Sequence, residues 1–237
     1  MKLSAPIFQL KRRAKLMARN NSVPLNEALD QIARNEGFAK WSLLSASMSS
    51  GPLSQTILSR LDEGDLLLLA GRPGHGKTKL GLQLLLDAAR GGRKALLFTL
   101  EFTEQQARKH LVSMEAQGGN IANAVQIFTS DQISADYIIE HMSGLEPGAV
   151  AIIDYLQLLD QRRSKPMLSE QLQTLGEFAQ RTGVVLGFIS QIDRSFEAEG
   201  KRLPDIGDVR LPNFVDLGLF TKACFLHNGE AQLQDVA

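Results

Sequence analysis

Residues 71–78 read Gly71-Arg72-Pro73-Gly74-His75-Gly76-Lys77-Thr78, a complete G-x-x-x-x-G-K-[ST] pattern. At average composition such a pattern arises by chance in about one chain in a hundred of this length. The flanking residues make it specific. Asp65-Leu66-Leu67-Leu68-Leu69-Ala70 has the character of a buried parallel strand, and residues 79–89 read as a helix. Strand, glycine-rich loop and helix in that order build a phosphate-binding site. The glycines let backbone amides close around the β- and γ-phosphates, because no Cβ blocks the approach. The helix N-terminus adds its partial positive charge at the same place. Lys77 is expected to reach the β/γ oxygens and Thr78 to set its hydroxyl on Mg²⁺. All eight loop residues are thus candidate ATP-binding positions. His75 fills a variable position of the pattern, and nothing beyond tolerance of a tight turn is expected of it.

Length and composition set the frame around this loop. A chain of 237 residues suits one sizeable α/β domain plus a small appendage. The single cysteine, Cys224, excludes internal disulfides and thiolate-rich metal sites, as expected in a reducing cytosol. His110, His141 and His227 are scattered, with no spacing suited to a metal. No apolar run approaches the length of a membrane span, and Met1 is followed by mixed polar residues rather than a signal peptide. Net charge is zero but uneven. Residues 1–50 hold eight Lys or Arg against three acids, a net of +5, so the remainder carries −5. A basic appendage on a mildly acidic core follows.

Residues 5–47 read as three helices. Ile7, Leu10, Ala14 and Met17 recur at helical spacing, with Lys11, Arg12, Lys15 and Arg19 on other faces. Pro24 favours a second start, and Leu25, Ala28, Leu29, Ile32 and Ala33 form its stripe before Gly37 ends it. Phe38, Trp41 and Leu44 mark a short third helix, and residues 45–54 read as a Ser/Gly/Pro linker. The expected division is therefore a basic helical module with linker over 1–50 and a nucleotide-binding domain over 51–237. The module suits either nucleic-acid or partner docking, or a solvated basic face.

Beyond the loop, residues 93–101, 149–154 and 184–191 read as apolar strands ending at Glu101, Asp154 and Gln191, with a weaker strand at 124–128. Helical stretches near 103–117, 134–143 and 168–182 separate them. This alternation predicts an α/β fold, a mostly parallel sheet flanked by helices. Ligands in such sheets bind at the C-terminal strand ends, where the loop also opens. Asp154 suits an acid that holds Mg²⁺ through its water shell. Tyr155 follows it, so no adjacent glutamate can polarise an attacking water, and Glu101 is the available carboxylate for that role. Gln191 can hydrogen-bond a γ-phosphate or the water.

Four strings, the loop together with Phe98-Thr99-Leu100-Glu101, residues 153–159 (Ile-Asp-Tyr-Leu-Gln-Leu-Leu) and residues 189–194 (Ile-Ser-Gln-Ile-Asp-Arg), resemble in kind and order the motor domains of DnaB-type helicases. The resemblance covers roughly 54–227 and implies a RecA-like ATPase core, with Glu101 as catalytic base, Lys77 on the phosphates, Thr78 and Asp154 for Mg²⁺, and Gln191 as γ-phosphate sensor. It further implies action on single-stranded DNA in replication, assembly into a homo-oligomer (a hexamer in the family) and a cytoplasmic location. Residues 203–210 resemble the loop that faces DNA, making Arg210 the DNA-contact candidate, with Lys201 and Arg202 beside it.

Departures from the family pattern matter equally. The family completes each site with a neighbouring subunit's Lys-x-Arg on a late hairpin. No Lys-x-Arg follows Arg210 here, and Lys222 is the only later cation. A missing arginine finger lowers turnover by ~10³–10⁵. On this reading the primase-binding domain and linker helix of the replicative enzymes are expected to be absent, with the small basic module in their place. Two functions compete on this reading: a DNA-dependent ATPase, and an ATP-gated oligomerisation or partner-binding module with little hydrolysis. A small-molecule kinase would need an arginine-rich lid, for which residues 161–165 are short. Arg162, Arg163 and Lys165 suit DNA contact or a solvated loop, and Phe214, Phe220 and Phe225 suit core or subunit contacts.

Overall fold

Strand β1 (Leu66–Gly71) is buried at all six positions, which is why its leucine run needs no polar alternation. The computed structural model describes residues 3–48, 52–115, 119–156, 159, 166–198, 200–210 and 215–236. The chain divides into two compact units, Met1–Arg60 and Leu61–Ala237.

In the first unit, α1 (Ile7–Asn21), α2 (Leu25–Asn35) and α3 (Trp41–Met48) form the three expected helices. Leu10, Ala14, Ala28, Ile32, Ala33 and Leu44 close a core of their own, with Phe38 and Trp41 packed against it. The Trp41 amide donates to the Asp30 carboxylate at 2.9 Å, which pins the start of α3 to α2. The expected linker over 45–54 is corrected at both ends. Helix α3 runs on to Met48, and a fourth helix, α4 (Leu53–Arg60), begins just after Pro52. The proline carbonyl accepts from the Gln55 and Thr56 amides, so this residue starts a helix rather than breaking one.

The second unit is built on one sheet. After β1 come α5 (Lys77–Arg90), β2 (Ala95–Thr99), α6 (Glu104–Met114), β3 (Val125–Phe128), α7 (Ala135–Met142) and β4 (Val150–Asp154). They are followed by α8 (Leu168–Thr182), β5 (Val185–Ile192), the short α9 (Ser195–Ala198), β6 (Val209–Arg210), β7 (Lys222–His227) and β8 (Glu230–Asp235). The strand order is β3-β2-β4-β5-β1-β7-β8, with β6 against β5. Strands β1 to β5 and β7 pair in parallel, whereas β6 and β8 are antiparallel to their neighbours. The mostly parallel α/β sheet of the sequence reading is thus observed. Phe220 and Phe225 are fully buried core residues. Phe214, Arg162, Arg163 and Lys165 lie outside the described residues.

Nothing in the hydrophobic period predicts the C-terminal hairpin. Strand β7 is buried on both faces from Ala223 to Leu226 and so shows no alternation to read. Its signal lies in the turn instead: Asn228 and Gly229 both take positive φ, 48° and 81°, the backbone that an Asn-Gly hairpin turn requires.

Gly71 is a glycine for the sheet as well as for the loop. Strand β7 approaches so closely that a Cβ at position 71 would lie 2.7 Å from the Leu226 carbonyl oxygen. Gly71→Ala must push β7 away from β1, at a cost of about 1–3 kcal/mol. A fall of several degrees in the thermal midpoint is expected, read by circular dichroism without any ligand.

Candidate active site

The sheet order draws the sequence-predicted residues into a row. Gly71 at the end of β1 lies in register with Gln191 on β5, and Asp154 at the end of β4 lies in register with Thr99 on β2. Glu101 follows two residues beyond, its amide held by the Thr99 hydroxyl at 3.0 Å. Because β5 sits between β1 and β4, the loop and the carboxylates face one crevice at the C-terminal edge.

Lys77 and Thr78 open α5, so the loop residues and the first turn of that helix share one location. Gly74 and Gly76 have φ of 82° and 86°, conformations that side-chain-bearing residues rarely adopt. Lys77 is buried, and its ammonium donates to the Arg72 carbonyl at 2.9 Å, folding back across the loop. Burial lowers its pKa, while Asp154 and Glu101 act in the opposite sense. The Arg72 guanidinium is turned away, held by Glu197 at 2.9 Å and by the Ile192 carbonyl at 3.3 Å.

Asp154 is the most perturbed carboxylate. It is 1 % exposed, and burial followed by the nearby Glu101 charge pushes its pKa up to about 7. The Thr78 hydroxyl hydrogen-bonds to it, yet Oδ2 is buried without a partner. On the adjacent strand the Ser190 hydroxyl is likewise buried and unpartnered. Such orphaned atoms cost roughly 1–3 kcal/mol each. Hard oxygen donors left open beside a lysine and a phosphate loop fit a hydrated divalent cation such as Mg²⁺, with Thr78 and Asp154 as the groups to hold it. Among the described residues no cluster of three or more His, Cys, Asp or Glu could hold a metal by itself. Glu101 is exposed, and a cavity of about 420 Å³, lined in part by Thr78, Phe102 and His110, lies beside the start of α5.

Arg210 is placed beside this row. Strand β6 sets it in register with Gln191, and its charge bears on Asp193. Lys201 and Arg202 are both ion-paired, Lys201 with Asp205 and Asp208, and Arg202 in a two-pronged contact with Glu230 at 2.9 Å for each prong. The chain has a C-terminal hairpin, β7–β8, whose lysine, Lys222, is paired with Asp235 at 2.8 Å. One arrangement escapes sequence reasoning altogether. His75 and His227, which no motif connects, stack with ring centroids 4.9 Å apart.

Fold and row together make a RecA-like α/β domain with a phosphate-binding loop motif at the C-terminal edge of its sheet. A family model described as the DnaB-like helicase C terminal domain matches residues 53–131. The chain is 26 % identical over 197 residues to the replicative DNA helicase DnaB of Mycoplasma pneumoniae, an overlap covering 67 % of this chain and 41 % of that protein. It is 24 % identical over 220 residues to the DnaB of Haemophilus influenzae, covering 75 % of this chain and 46 % of that one. A solved structure of a DnaB-like replicative helicase, described with its interactions with primase, shares the fold. Its TM-score is 0.60 at 20 % identity, with 92 % of this chain and 66 % of that chain covered. The similarity to the DnaB C-terminal domain thus extends over part of the sequence, and the likeness to the solved structure lies in the fold. The chain spans less than half the length of the two curated relatives. Among the described residues no helix is long and apolar enough to cross a membrane.

Proposed function

We propose that this chain is a cytoplasmic motor of the DnaB class that binds ATP with Mg²⁺, hydrolyses it and acts on single-stranded DNA as a homo-oligomer. The observation that carries this reading is the gathering of Lys77, Thr78, Asp154 and Glu101 around one crevice, with Asp154 Oδ2 buried and unpartnered at its floor. In this reading Lys77 and the loop amides neutralise the phosphates. Mg²⁺, when bound, spreads the developing charge of the transferred phosphoryl group. Glu101 takes a proton from the attacking water, and Gln191 positions that water or the γ-phosphate. Thr78 and Asp154 orient the metal's water shell.

Steady-state ATP hydrolysis with and without single-stranded DNA tests the proposal. Stimulation by DNA is the expected result, and a rate indifferent to DNA would remove the motor reading. Arg210 shares its register pair with the sensor Gln191, which supports it as the DNA-facing cation. Arg210→Ala should weaken binding to all DNA sequences alike and lower the salt slope by about 1. Unchanged affinity in a salt titration by fluorescence anisotropy would retire the assignment.

A second reading rests on the hairpin. Its lysine is tied to Asp235, and its residues 222–235 contain no Lys-x-Arg. An ATP-gated binding module with slow turnover accounts for both. Tight ATP binding with negligible hydrolysis at any DNA concentration would favour it.

A further inference from the structure

The crown of the phosphate loop, Gly74-His75-Gly76, carries one side chain. A Cβ at either flanking glycine would meet nothing within 4 Å, and the crown's backbone is held by the His75 amide on the Arg72 carbonyl at 3.2 Å and the Leu80 amide on the Gly76 carbonyl at 2.9 Å. A glycine-rich segment of this kind is costly to order. The His75 side chain is held as well, because the β7–β8 turn seizes it. Its ring stacks on His227 at 4.9 Å and 20°, and its Nδ1 accepts the Asn228 amide at 3.0 Å. That bond puts the imidazole proton on Nε2 and needs the ring neutral. Burial, His227, Lys77 and Arg72 all favour the neutral form, and only Glu197 opposes it.

The seizing element is itself braced. The Phe196 ring meets His227 edge-on at 5.0 Å, and the Asn228 side-chain amide lies 3.0 Å from His227 Nε2. On the other side of the turn, Glu230 receives both prongs of Arg202. That pair is exposed and adds little energy, but it tethers the turn to the loop that precedes Arg210.

We propose that the β7–β8 turn positions the phosphate loop of its own chain, holding the loop's crown through His75 so that its amides are set for phosphate before nucleotide arrives. His75 and His227 are positioning residues in this scheme, and touch no reacting atom. The inference rests on the nucleotide-binding reading above and deepens it. Preorganisation of this kind acts on affinity rather than on the chemical step.

The test is equilibrium binding of a fluorescent ATP analogue, and of pyrophosphate by competition, to folded wild-type and variant chains. His75→Ala, which removes both the ring pair and the hydrogen bond from the Asn228 amide, should raise Kd about tenfold, and His227→Ala, which removes the ring pair, about threefold. The double variant should be no worse than His75→Ala alone, because that change already removes the ring pair that His227→Ala removes. His227→Phe, which keeps a stacking ring, should return close to wild-type affinity. Pyrophosphate should lose affinity by the same factor as ATP. A loss confined to ATP would make the turn a wall for the base and overturn the positioning role, as would additive effects of the two alanines. Should His227→Ala not fold, His75→Ala, on the loop itself, decides alone. Wild-type chain that binds neither probe sinks the nucleotide reading and this inference together. Wild-type binding with unaltered variants sinks only the inference.

Discussion

Glu101→Gln is expected to abolish ATP turnover while leaving ATP bound. The substitution keeps the side chain's size and its place beyond β2, held by the Glu101 amide on the Thr99 hydroxyl. It removes only the basic oxygen. General-base catalysis contributes ~10²–10⁴ in rate, so steady-state hydrolysis should fall by about that factor. The phosphate loop and Lys77 are untouched, and the analogue's Kd should change little. The variant would also relieve Asp154 of a nearby negative charge, which now raises its pKa. Turnover within a few-fold of wild type would show that another group activates the water.

Asp154→Asn should have the second largest effect, and in two directions. Hydrolysis should collapse, because the amide cannot place an anionic oxygen at the metal's water shell. The ligand-free fold should meanwhile become more stable above neutral pH. Asp154 has a folded pKa of about 7 against an ordinary 3.8, set by burial first and by Glu101 second. Between those values the folded state binds a proton that the unfolded state has released, so stability falls as pH rises. Above about pH 7 the loss is complete, and it amounts to at most roughly 4 kcal/mol. Asparagine removes this term. Thermal midpoints of the ligand-free wild type should therefore fall from pH 5 to pH 8 more steeply than those of Asp154→Asn. Parallel pH profiles for the two proteins would mean that Asp154 is ionised at no unusual cost. A residue that destabilises the fold for the sake of its chemistry is the expected signature of a working site.

What could be read without the fold was local. Residues 71–78 announce their loop because phosphate binding needs consecutive backbone amides, and consecutive residues are what a sequence records. Glu101, Asp154 and Gln191 were legible for a related reason. Asp154 ends its strand, Gln191 stands one residue before the end of its own, and Glu101, expected at a strand end, follows two residues beyond β2; in a parallel sheet all such ends share one edge. The three helices of the basic module could be read from their period, since each buries one stripe in a core of its own.

Other features needed the tertiary structure. That Arg202 is spent on Glu230 depends on where a turn 28 residues away comes to rest, whereas Lys201 pairs within its own loop, with Asp205 and Asp208. Arg72 sits within the loop's motif, yet its guanidinium is held by Glu197, which lies 125 positions later in the chain. The raised pKa of Asp154 is a property of burial and of a neighbour on another strand, neither of which composition reveals. The stack of His75 on His227 joins residues that share no period or motif. The order of residues along the chain was enough to name the groups that line the crevice, because strand ends and loop amides are local facts. Which charges remain available, and which turn holds the loop, were settled by the folded sheet, because pairing energies depend on distance in space and not along the chain.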